Sequence, residues 1–545
     1  MKKRVVILGM AIVLVLTLFY TRQNFTGLVV NPAINQESRY QQLKACISNG
    51  GEVNACRLQL GVLSKEIYES TPNPEELPPG DIPANSINVK DLGAYGDGQS
   101  HLITAEDLNN HAGWNGKYHP GDEWDTVIIQ EAIDTNPEHK LIFIPQGTYL
   151  IYRQGEKKGK TLNVGLKFVS GTHLQGTGSP YPILKNRDAD DAVIFDHEYI
   201  TLQDIRLDSL KFEGITISFA AGSLGQMNNI FLRNCAFHNG VKPRSSDDLS
   251  RSLSDPEYLP NNRVLEFSRV KTGGVDNCVF TFDATHHGRG ILIWRSHDIT
   301  VENSVFSGAL QTAINVIGAL SADDKNIEAD WPLEHRSHGI VLKNNLIQRN
   351  LPPKVSEDHG IYAWGTDGLE IYNNYISGWS QTTAGGSIKI RNGKTIKIRC
   401  NEMYGSGVVA YNYVKGALNR IATNSPDGFG EPPYLRDVLV ENNLVVLEDA
   451  KDCTSSGVNF WRDAGEHDRA DFESQIVINR NTFINGCIEM NNPLQGSAFS
   501  LTNNKLKRLI IGSYVGEYSK TNNQVCEDCV FERTLPQECG SVPHP

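Results

Sequence analysis

The sequence predicts an all-β protein built as a parallel β-helix, a solenoid whose coils each contribute short strands to parallel sheets. The main observation is a strand, Asn corner, strand motif that recurs between residues 229 and 506. Its steps of 23–29 residues, or of 38–43 residues where a loop is inserted, are typical of solenoid repeats. The second corner position holds Cys235, Cys278, Ser304, Asn345, Asn374, Asn401, Asn443, Asn481 and Asn504.

The strands around these corners determine the type of solenoid. They are short and β-branched, and no helical repeat separates them, so successive coils can pair only in parallel. Asn suits the corner because it tolerates the left-handed conformation and because stacked amides can hydrogen-bond to one another. The alternative, a β-sandwich, does not explain so many copies of one corner motif.

The N-terminal segment, residues 1–22, begins with MKKR and continues through an apolar run from Val5 to Tyr20. It predicts a signal peptide or an uncleaved signal anchor, and the lack of a small-residue cleavage site favours the anchor. The leading cations orient the rest of the chain away from the cytoplasm. We therefore expect a cell-envelope protein anchored in an inner membrane and facing the periplasm, with secretion as the alternative. Residues 23–86 form an extension that ends in the Pro-rich linker 71–83.

The β-helix domain is predicted over residues 87–510. Residues 125–134 predict a helix capped by Asp125 or Thr126, which would close the open end of the solenoid. Its apolar face comprises Val127, Ile128, Ala132 and Ile133.

The start of the domain resembles the pectate-lyase-like superfamily. The segments that carry the resemblance are Gly-Ala-Tyr-Gly-Asp-Gly (93–98), the helix, and Pro-Gln-Gly-Thr-Tyr (145–149), although an insertion at about 101–124 departs from that pattern. The resemblance implies a right-handed parallel β-helix. It also implies a carbohydrate partner, since the superfamily includes polysaccharide lyases, polygalacturonase-type hydrolases, alginate epimerases and tailspike depolymerases.

The C-terminal tail, residues 511–545, contains three of the ten cysteines, Cys526, Cys529 and Cys539, and we expect a disulfide there. Cys235 and Cys278 share the corner position and are expected to stack inside. No second Cys pair stands at zinc spacing, so no metal site is predicted, and no acidic cluster supports a Ca²⁺ site. A net charge of −12 argues against a nucleic-acid partner and against polyanion binding over the whole surface, but it allows a local basic groove.

The outward side chains of one sheet carry the functional prediction. Aligning the strand before each corner gives an outer column of Trp294, Ile317, Trp364, Arg391, Tyr411, Trp461 and Asn491. The parallel inner column is Leu292, Asn315, Tyr362, Lys389, Val409, Asn459 and Glu489. Aromatic faces stack on sugar rings and cations pair with sugar carboxylates, so we expect a solvent-facing groove for an acidic polysaccharide. The alternative is that loops cover these rings. The predicted binding residues are Trp294, Asn315, Trp364, Tyr411, Asn459 and Trp461, flanked by Arg289 and Arg295.

The candidate catalytic residues lie on two neighbouring coils: Lys389 and Arg391 on one, His359 and Tyr362 on the coil before. They would supply β-elimination with a carboxylate-neutralising cation and with proton-transfer groups. The segment 385–393 resembles β-helix lyases of the chondroitinase and alginate-lyase type, and that resemblance implies that Arg391 is the catalytic acid. The base of those enzymes is a Lys one coil earlier, where this chain has Trp364, so His359 or Lys389 would take that role.

Three other functions are less well matched. The segment Asp358-His359-Gly360 is faintly similar to polygalacturonases, but hydrolysis needs two carboxylates, and no paired outward acids occur on adjacent coils. An epimerase would require a signature that the chain lacks. A non-catalytic polysaccharide-binding or structural β-helix of the envelope needs only the aromatic column. No cofactor is predicted.

Overall fold

The computed structural model describes most of the chain from residue 86 onward. These residues belong to one unit, Lys65–His544, and the other unit, Met1–Ser64 with Pro545, lies outside them. The predicted anchor and nearly all of the extension therefore lie outside the described residues, and no described helix is long and apolar enough to cross a membrane. The described residues are 86–111, 113–136, 140–152, 164–177, 180–188, 193–196, 202–220, 227–240, 263–283, 288–318, 337–349, 359–379, 386–412, 435–447, 457–462, 474–491, 497–511, 518–526, 529, 531–532, 535 and 539.

The strands form three faces, named A, B and C here, and they pair in parallel with the next coil of the same face. Two long strands, His359–Tyr372 and Gly386–Arg399, run from face B into face A and join those faces into one 24-stranded sheet. The bend between the faces falls at Gly365 and Asn392, whose φ values of 62° and 50° lie in the left-handed region. The predicted parallel β-helix is confirmed.

Face A continues through the second halves of the two long strands. Its other strands are Ile87–Asn88, Ile142–Ile144, His173–Gly176, Gln203–Asp208, Asn228–Arg233, Gly273–Asp276, Ile299–Glu302, His338–Lys343, Arg436–Glu441, Ser474–Asn479, Ser497–Thr502 and Tyr518–Thr521.

Face B continues through the first halves of the long strands, and it holds both predicted columns. Its other strands are Val164–Lys167, Val193–Asp196, Ile215–Ala220, Arg263–Ser268, Gly288–Trp294, Leu310–Ile317, Val408–Asn412, Val458–Arg462, Cys487–Asn491 and Arg508–Ile511.

Face C is a separate 13-stranded sheet. Its strands are Thr148–Ile151, Ile183–Asn186, Lys211–Glu213, Ala236–His238, Val279–Phe282, Val305–Gly308, Leu346–Arg349, Tyr375–Ser377, Glu402–Tyr404, Leu444–Val446, Thr482–Ile484, Lys505–Leu506 and Gln524–Val525.

The core fills the space between the three faces with inward-facing apolar side chains. On the face C side, four phenylalanines stack along the axis, with ring centroids 5.1, 4.7 and 4.6 Å apart from Phe212 to Phe306. Offset aromatic stacking adds to the apolar area that these rings bury. Because the core side chains repeat from coil to coil, they fix the register of the outward side chains as well.

The corner between faces A and C contains the predicted Asn ladder. The Asn374 backbone N–H and side-chain amide both donate to Asn401 Oδ1 at 3.0 Å, and Asn401 donates in the same way to Asn443. The stacked Asn is fully buried, and the left-handed residue is the one before it, such as Asn373 (φ 58°) or Cys400 (φ 57°). Backbone bending and side-chain stacking are thus assigned to two successive corner residues.

Two helices occur in the described N-terminal part, α1 (Ala105–Asn110) and α2 (Trp124–Asp134). The predicted apolar face of α2 is buried in the main core. The predicted cap is wrong: the N-cap is Glu123, and Asp125 instead accepts a 2.7 Å hydrogen bond from the Tyr95 backbone N–H. Burial raises the pKa of Asp125 to about 6. The role of α2 as the closure of the solenoid stays a prediction.

The described cysteines include both bridged and free thiols. Disulfides join Cys400 to Cys539 and Cys526 to Cys529, so the tail is covalently tied to a corner of the solenoid. Cys235 and Cys278 are buried and free, as predicted. Burial raises the pKa of the Cys278 thiol, so it stays protonated in the core.

Candidate carbohydrate-binding groove

The strand register of face B aligns both predicted columns. Ile317, Trp364 and Arg391 are successive partners, and Tyr411 and Trp461 continue the outer column by main-chain register. In the inner column, Asn315 pairs with Tyr362 and Tyr362 with Lys389. Neighbouring rungs are about 4.8 Å apart, so the columns run along the solenoid axis.

The alternation of each strand explains these positions. Ile361, Ala363, Ile388 and Ile390 are fully buried in the core, so the residues between them point outward. A shift of one residue would exchange the two sets, and the apolar inward residues oppose that shift.

The groove is not an open, solvent-facing stripe, and that prediction is corrected. In the inner column, Asn315, Lys389 and Asn459 are only 4%, 6% and 7% exposed, although they point away from the core. In the outer column, Trp294, Ile317, Trp364 and Arg391 are half-buried. These four outer-column residues therefore form a partly accessible rim beside a covered floor.

Cations lie against aromatic rings along this rim. The Arg391 guanidinium carbon is 4.4 Å from the Trp364 ring centroid, and the Arg295 carbon is 4.5 Å from that of Trp294. Such contacts place the guanidinium charge against the electron-rich face of the ring. Each pair brings an apolar plane and a positive charge together, and Arg391 is half-buried whereas Arg295 is almost fully buried.

The four candidate catalytic residues form two neighbouring clusters. The His359 and Tyr362 rings stack with centroids 5.0 Å apart, and Lys389 Nζ lies 6.0 Å from the Tyr362 centroid. Arg391 belongs to the second cluster, on Trp364. His359 is 6% exposed whereas Tyr362 is half-buried, so Tyr362 is the more accessible of that pair.

Several buried polar atoms in the groove make no hydrogen bond to the residues that the structure describes, and three of them belong to Trp and Asn side chains. These three are the indole Nε1 of Trp364, a donor, and the Oδ1 acceptors of Asn315 and Asn459. Trp364 and Asn315 are on adjacent coils, since Asn315 pairs with Tyr362 two residues before Trp364. Leaving a buried polar group unmatched costs about 1–3 kcal/mol, so a hydroxyl-bearing ligand would recover that free energy here.

The two flanking arginines lie at one end of the groove. Arg289 is half-buried and is in register with Thr312. Arg295 is 3% exposed and has a φ of 51°, so it occupies the bend that leaves face B.

The sequence analysis missed Glu266, which extends the inner column by one coil as the partner of Leu292. Its carboxylate is 2.8 Å from the Arg263 guanidinium. In the strand Arg263–Ser268, Glu266 stands between the inward residues Leu265 and Phe267, and this alternation could have identified it as outward-facing. Carboxylates of the extended inner column occur only at Glu266 and Glu489, and no group of described residues could hold a metal ion.

No family model matches the sequence, and no curated protein matches it. Among solved structures, the Streptococcus pneumoniae surface protein and adhesin PfbA is similar over 81% of this chain and 97% of that chain, with 16% identity and a TM-score of 0.46. The tailspike protein of E. coli bacteriophage HK620, a mutant in complex with a hexasaccharide, covers 73% of this chain and 61% of its own, with 12% identity and a TM-score of 0.39.

The catalytic unit of a GH87 alpha-1,3-glucanase from Streptomyces thermodiastaticus matches 86% of this chain and 73% of that chain, with 13% identity and a TM-score of 0.35. These solved structures are right-handed parallel β-helix proteins. The parallel pairing of strands from coil to coil shows, independently of these similarities, that this chain is a parallel β-helix protein.

Proposed function

We propose that face B binds an acidic polysaccharide along the solenoid axis and cleaves it by β-elimination. The observation that carries the proposal is the set of buried, unmatched polar atoms in a groove lined by cation–aromatic pairs. A polysaccharide matches all of these features, because it offers hydroxyl groups, flat C–H faces and carboxylates along a linear chain.

The chain would lie across successive rungs. The half-buried Trp294 and Trp364 offer ring faces to sugar units, and Arg391 offers N–H groups to a sugar carboxylate. The Trp364 indole N–H and the Asn315 carbonyl oxygen would each bond a hydroxyl group of the bound chain. The groove thus supplies apolar contact, charge and hydrogen bonds at adjacent positions.

Elimination at a uronic acid would use both clusters. Lys389 and Arg391 neutralise the carboxylate, which makes the proton on C5 more acidic. The His359–Tyr362 pair removes that proton, and its electron pair forms the C4–C5 double bond as the C4–O4 bond breaks. Arg391 donates a proton to the leaving oxygen, the role that the resemblance to β-helix lyases implies for it, and Lys389 remains as the cation that neutralises the carboxylate.

Among the described residues, the acids of the inner column do not favour hydrolysis. Glu266 and Glu489 are seven register steps apart in the inner column. At about 4.8 Å a step they are about 34 Å apart, much farther than the roughly 5–10 Å that glycosidases use. Polysaccharide binding without cleavage is the second candidate, because the aromatic rim and the unmatched polar atoms require no chemistry.

The disulfides support the predicted location outside the cytoplasm. Cys400–Cys539 and Cys526–Cys529 are bonds that persist in oxidising compartments such as the periplasm or the extracellular space. A polysaccharide partner is consistent with that location.

The proposal is tested by incubating the full-length protein with acidic polysaccharides and following the ultraviolet absorbance of unsaturated uronic acid. We expect Arg391→Ala, His359→Ala and Tyr362→Phe to reduce the rate about 100-fold or more. Lys397→Ala is the matched control, because Lys397 is exposed on face A of the same strand as Arg391.

The other outcomes are equally informative. Binding without any product would leave a polysaccharide-binding protein, and new reducing ends without unsaturated product would indicate hydrolysis. If no acidic polysaccharide binds or is cleaved, the proposed function is wrong.

A further inference from the structure

The positive charge of the inner column lies at one rung. Lys389 is its cation, beside Arg391 in the outer column. Two rungs to one side the column holds Asn315, and two rungs to the other side it holds Asn459. The next position beyond Asn459 is Glu489, a carboxylate.

The amide of Asn459 is oriented by Glu489. Its Nδ2 donates to Glu489 Oε2 at 3.4 Å, so its Oδ1 points the other way. That oxygen is buried and, among the described residues, accepts no hydrogen bond. At this rung Asn459 presents a buried acceptor, which a carboxylate or sulfate cannot satisfy, and such an anion would also face the charge of Glu489. A sugar hydroxyl group can donate.

A buried acceptor also lies on the opposite side of Lys389. Asn315 Oδ1 is buried and has no donor among the described residues. Both acceptors are about 10 Å from the Lys389 rung along the axis. Val409, the inner-column residue between Lys389 and Asn459, is fully buried and apolar. The column therefore accepts negative charge at its centre and hydroxyl groups two rungs away on either side.

We infer that the groove selects a heteropolysaccharide in which single acidic units are separated by several neutral, hydroxyl-bearing sugars. A sugar unit and a rung have similar lengths, so an acid bound at Lys389 places its second neighbours on either side at Asn315 and Asn459. This inference rests on the proposed function and names its substrate class. A homopolymer of uronic acid would bring a carboxylate-bearing unit to the rung of each buried acceptor.

The test compares dissociation constants for two kinds of probe, measured with the full-length protein. One is soluble deacetylated gellan, in which one glucuronic acid alternates with a run of neutral sugars. The other kind is a homopolyuronate of matched length, either polygalacturonate or polyguluronate. We expect gellan to bind at least about tenfold more tightly, because the homopolymers bring carboxylates to both buried acceptors and to the neighbourhood of Glu489.

Variants separate the contributions of Lys389 and Asn459 to polysaccharide binding. Lys389→Met should weaken gellan binding about tenfold or more, while Lys397→Met on face A should leave it unchanged. Asn459→Leu removes the acceptor, so it should weaken gellan binding more than homopolyuronate binding and narrow the difference between them.

The outcomes distinguish this inference from the proposed function. If homopolyuronates bind as tightly as gellan or more tightly, the substrate class is wrong while the polysaccharide groove stands. If Lys389→Met has no effect on gellan, the acidic unit is wrongly placed. If neither kind of probe binds, the proposed function fails as well.

Discussion

Burial differs sharply between neighbouring side chains of face B. Lys389 and Arg391 are two residues apart on one strand and point the same way, yet Lys389 is 6% exposed and Arg391 is half-buried. The buried Lys389 interacts strongly with a charge that reaches it, because its surroundings have low polarity. The half-buried Arg391 lies where an approaching polysaccharide would first make contact. We therefore expect Arg391 to affect the initial binding of the polysaccharide and Lys389 to affect the binding of the acidic sugar at its own rung.

Glu402 on face C provides a prediction about pH. Burial raises the pKa of its carboxyl group from 4.5 to about 7, although the Tyr404 hydroxyl group donates to it at 3.4 Å. The unfolded chain releases this proton at lower pH than the folded chain, so stability is lost as pH rises from about 4.5 to 7. Above pH 7 the loss is about 3 kcal/mol.

The Glu402→Gln variant should remove this loss, because Gln stays neutral and can still accept from Tyr404. Denaturant unfolding at pH 4 and pH 8 measures the effect. The variant should gain up to about 3 kcal/mol relative to the wild type on going from pH 4 to pH 8. An equal difference between the two proteins at both pH values would show that Glu402 does not titrate as described.

Among the structural elements, the Asn ladder connects the corners of successive coils. Each buried Asn satisfies backbone groups of its own coil and of a neighbouring coil, as when Asn401 Nδ2 donates to the carbonyl groups of Arg399 and Ile371. Buried backbone groups at a bend have no strand partner, so these side chains replace the missing ladder bonds. Stacked amides thus hold successive corners in register.

Asn401→Ala should therefore be strongly destabilising. It leaves the Asn374 backbone N–H and the Ile371 carbonyl group without the partners that Asn401 supplies, at a cost of about 2–5 kcal/mol in the free energy of unfolding. Chemical denaturation measures this change, with Lys397→Ala as an exposed control within about 0.5 kcal/mol of the wild type.

Asn401→Ser should lose less than Asn401→Ala. Ser304 already occupies one ladder position, where its hydroxyl group accepts from the Cys278 backbone N–H at 3.1 Å. Equal losses for Ser and Ala would contradict the account in which hydrogen bonding at the corner, rather than side-chain volume, is decisive.

At the scale of the whole molecule, the tail disulfide links distant parts of the chain. Cys400 and Cys539 are 139 residues apart in sequence, whereas Cys526 and Cys529 are separated by 3. In the chain-entropy model, a cross-link that closes a long loop restricts the unfolded ensemble more than one that closes a short loop.

Cys539→Ser should lower the free energy of unfolding by about 2–4 kcal/mol under non-reducing conditions. Cys529→Ser, the matched control in the same tail, should have a much smaller effect. Denaturant midpoints of the two variants give the comparison, and a larger loss for Cys529→Ser would overturn the assignment of Cys400–Cys539 as the main clamp.

The repeat and the two columns of face B follow from the amino-acid sequence alone. The spacing of the Asn corners and the alternation of residues such as Ile388 and Ile390 are sufficient, because strand periodicity and solenoid stacking are local rules that every coil repeats. The same rules place Trp364 beside Arg391 and Tyr362 beside Lys389.

The depth at which each outward residue is covered, and what it contacts, depend on the tertiary structure. The disulfide between Cys400 and Cys539 joins residues that are distant in sequence, and so does the hydrogen bond that the Tyr95 backbone N–H donates to Asp125. The burial of Lys389 and Asn315 depends on contacts of the same kind. No local period encodes them, because burial depends on the summed arrangement of all neighbouring coils. For that reason the sequence predicted the two columns of face B, whereas the packing of the coils decides which of their polar atoms are buried without a hydrogen-bond partner among the described residues.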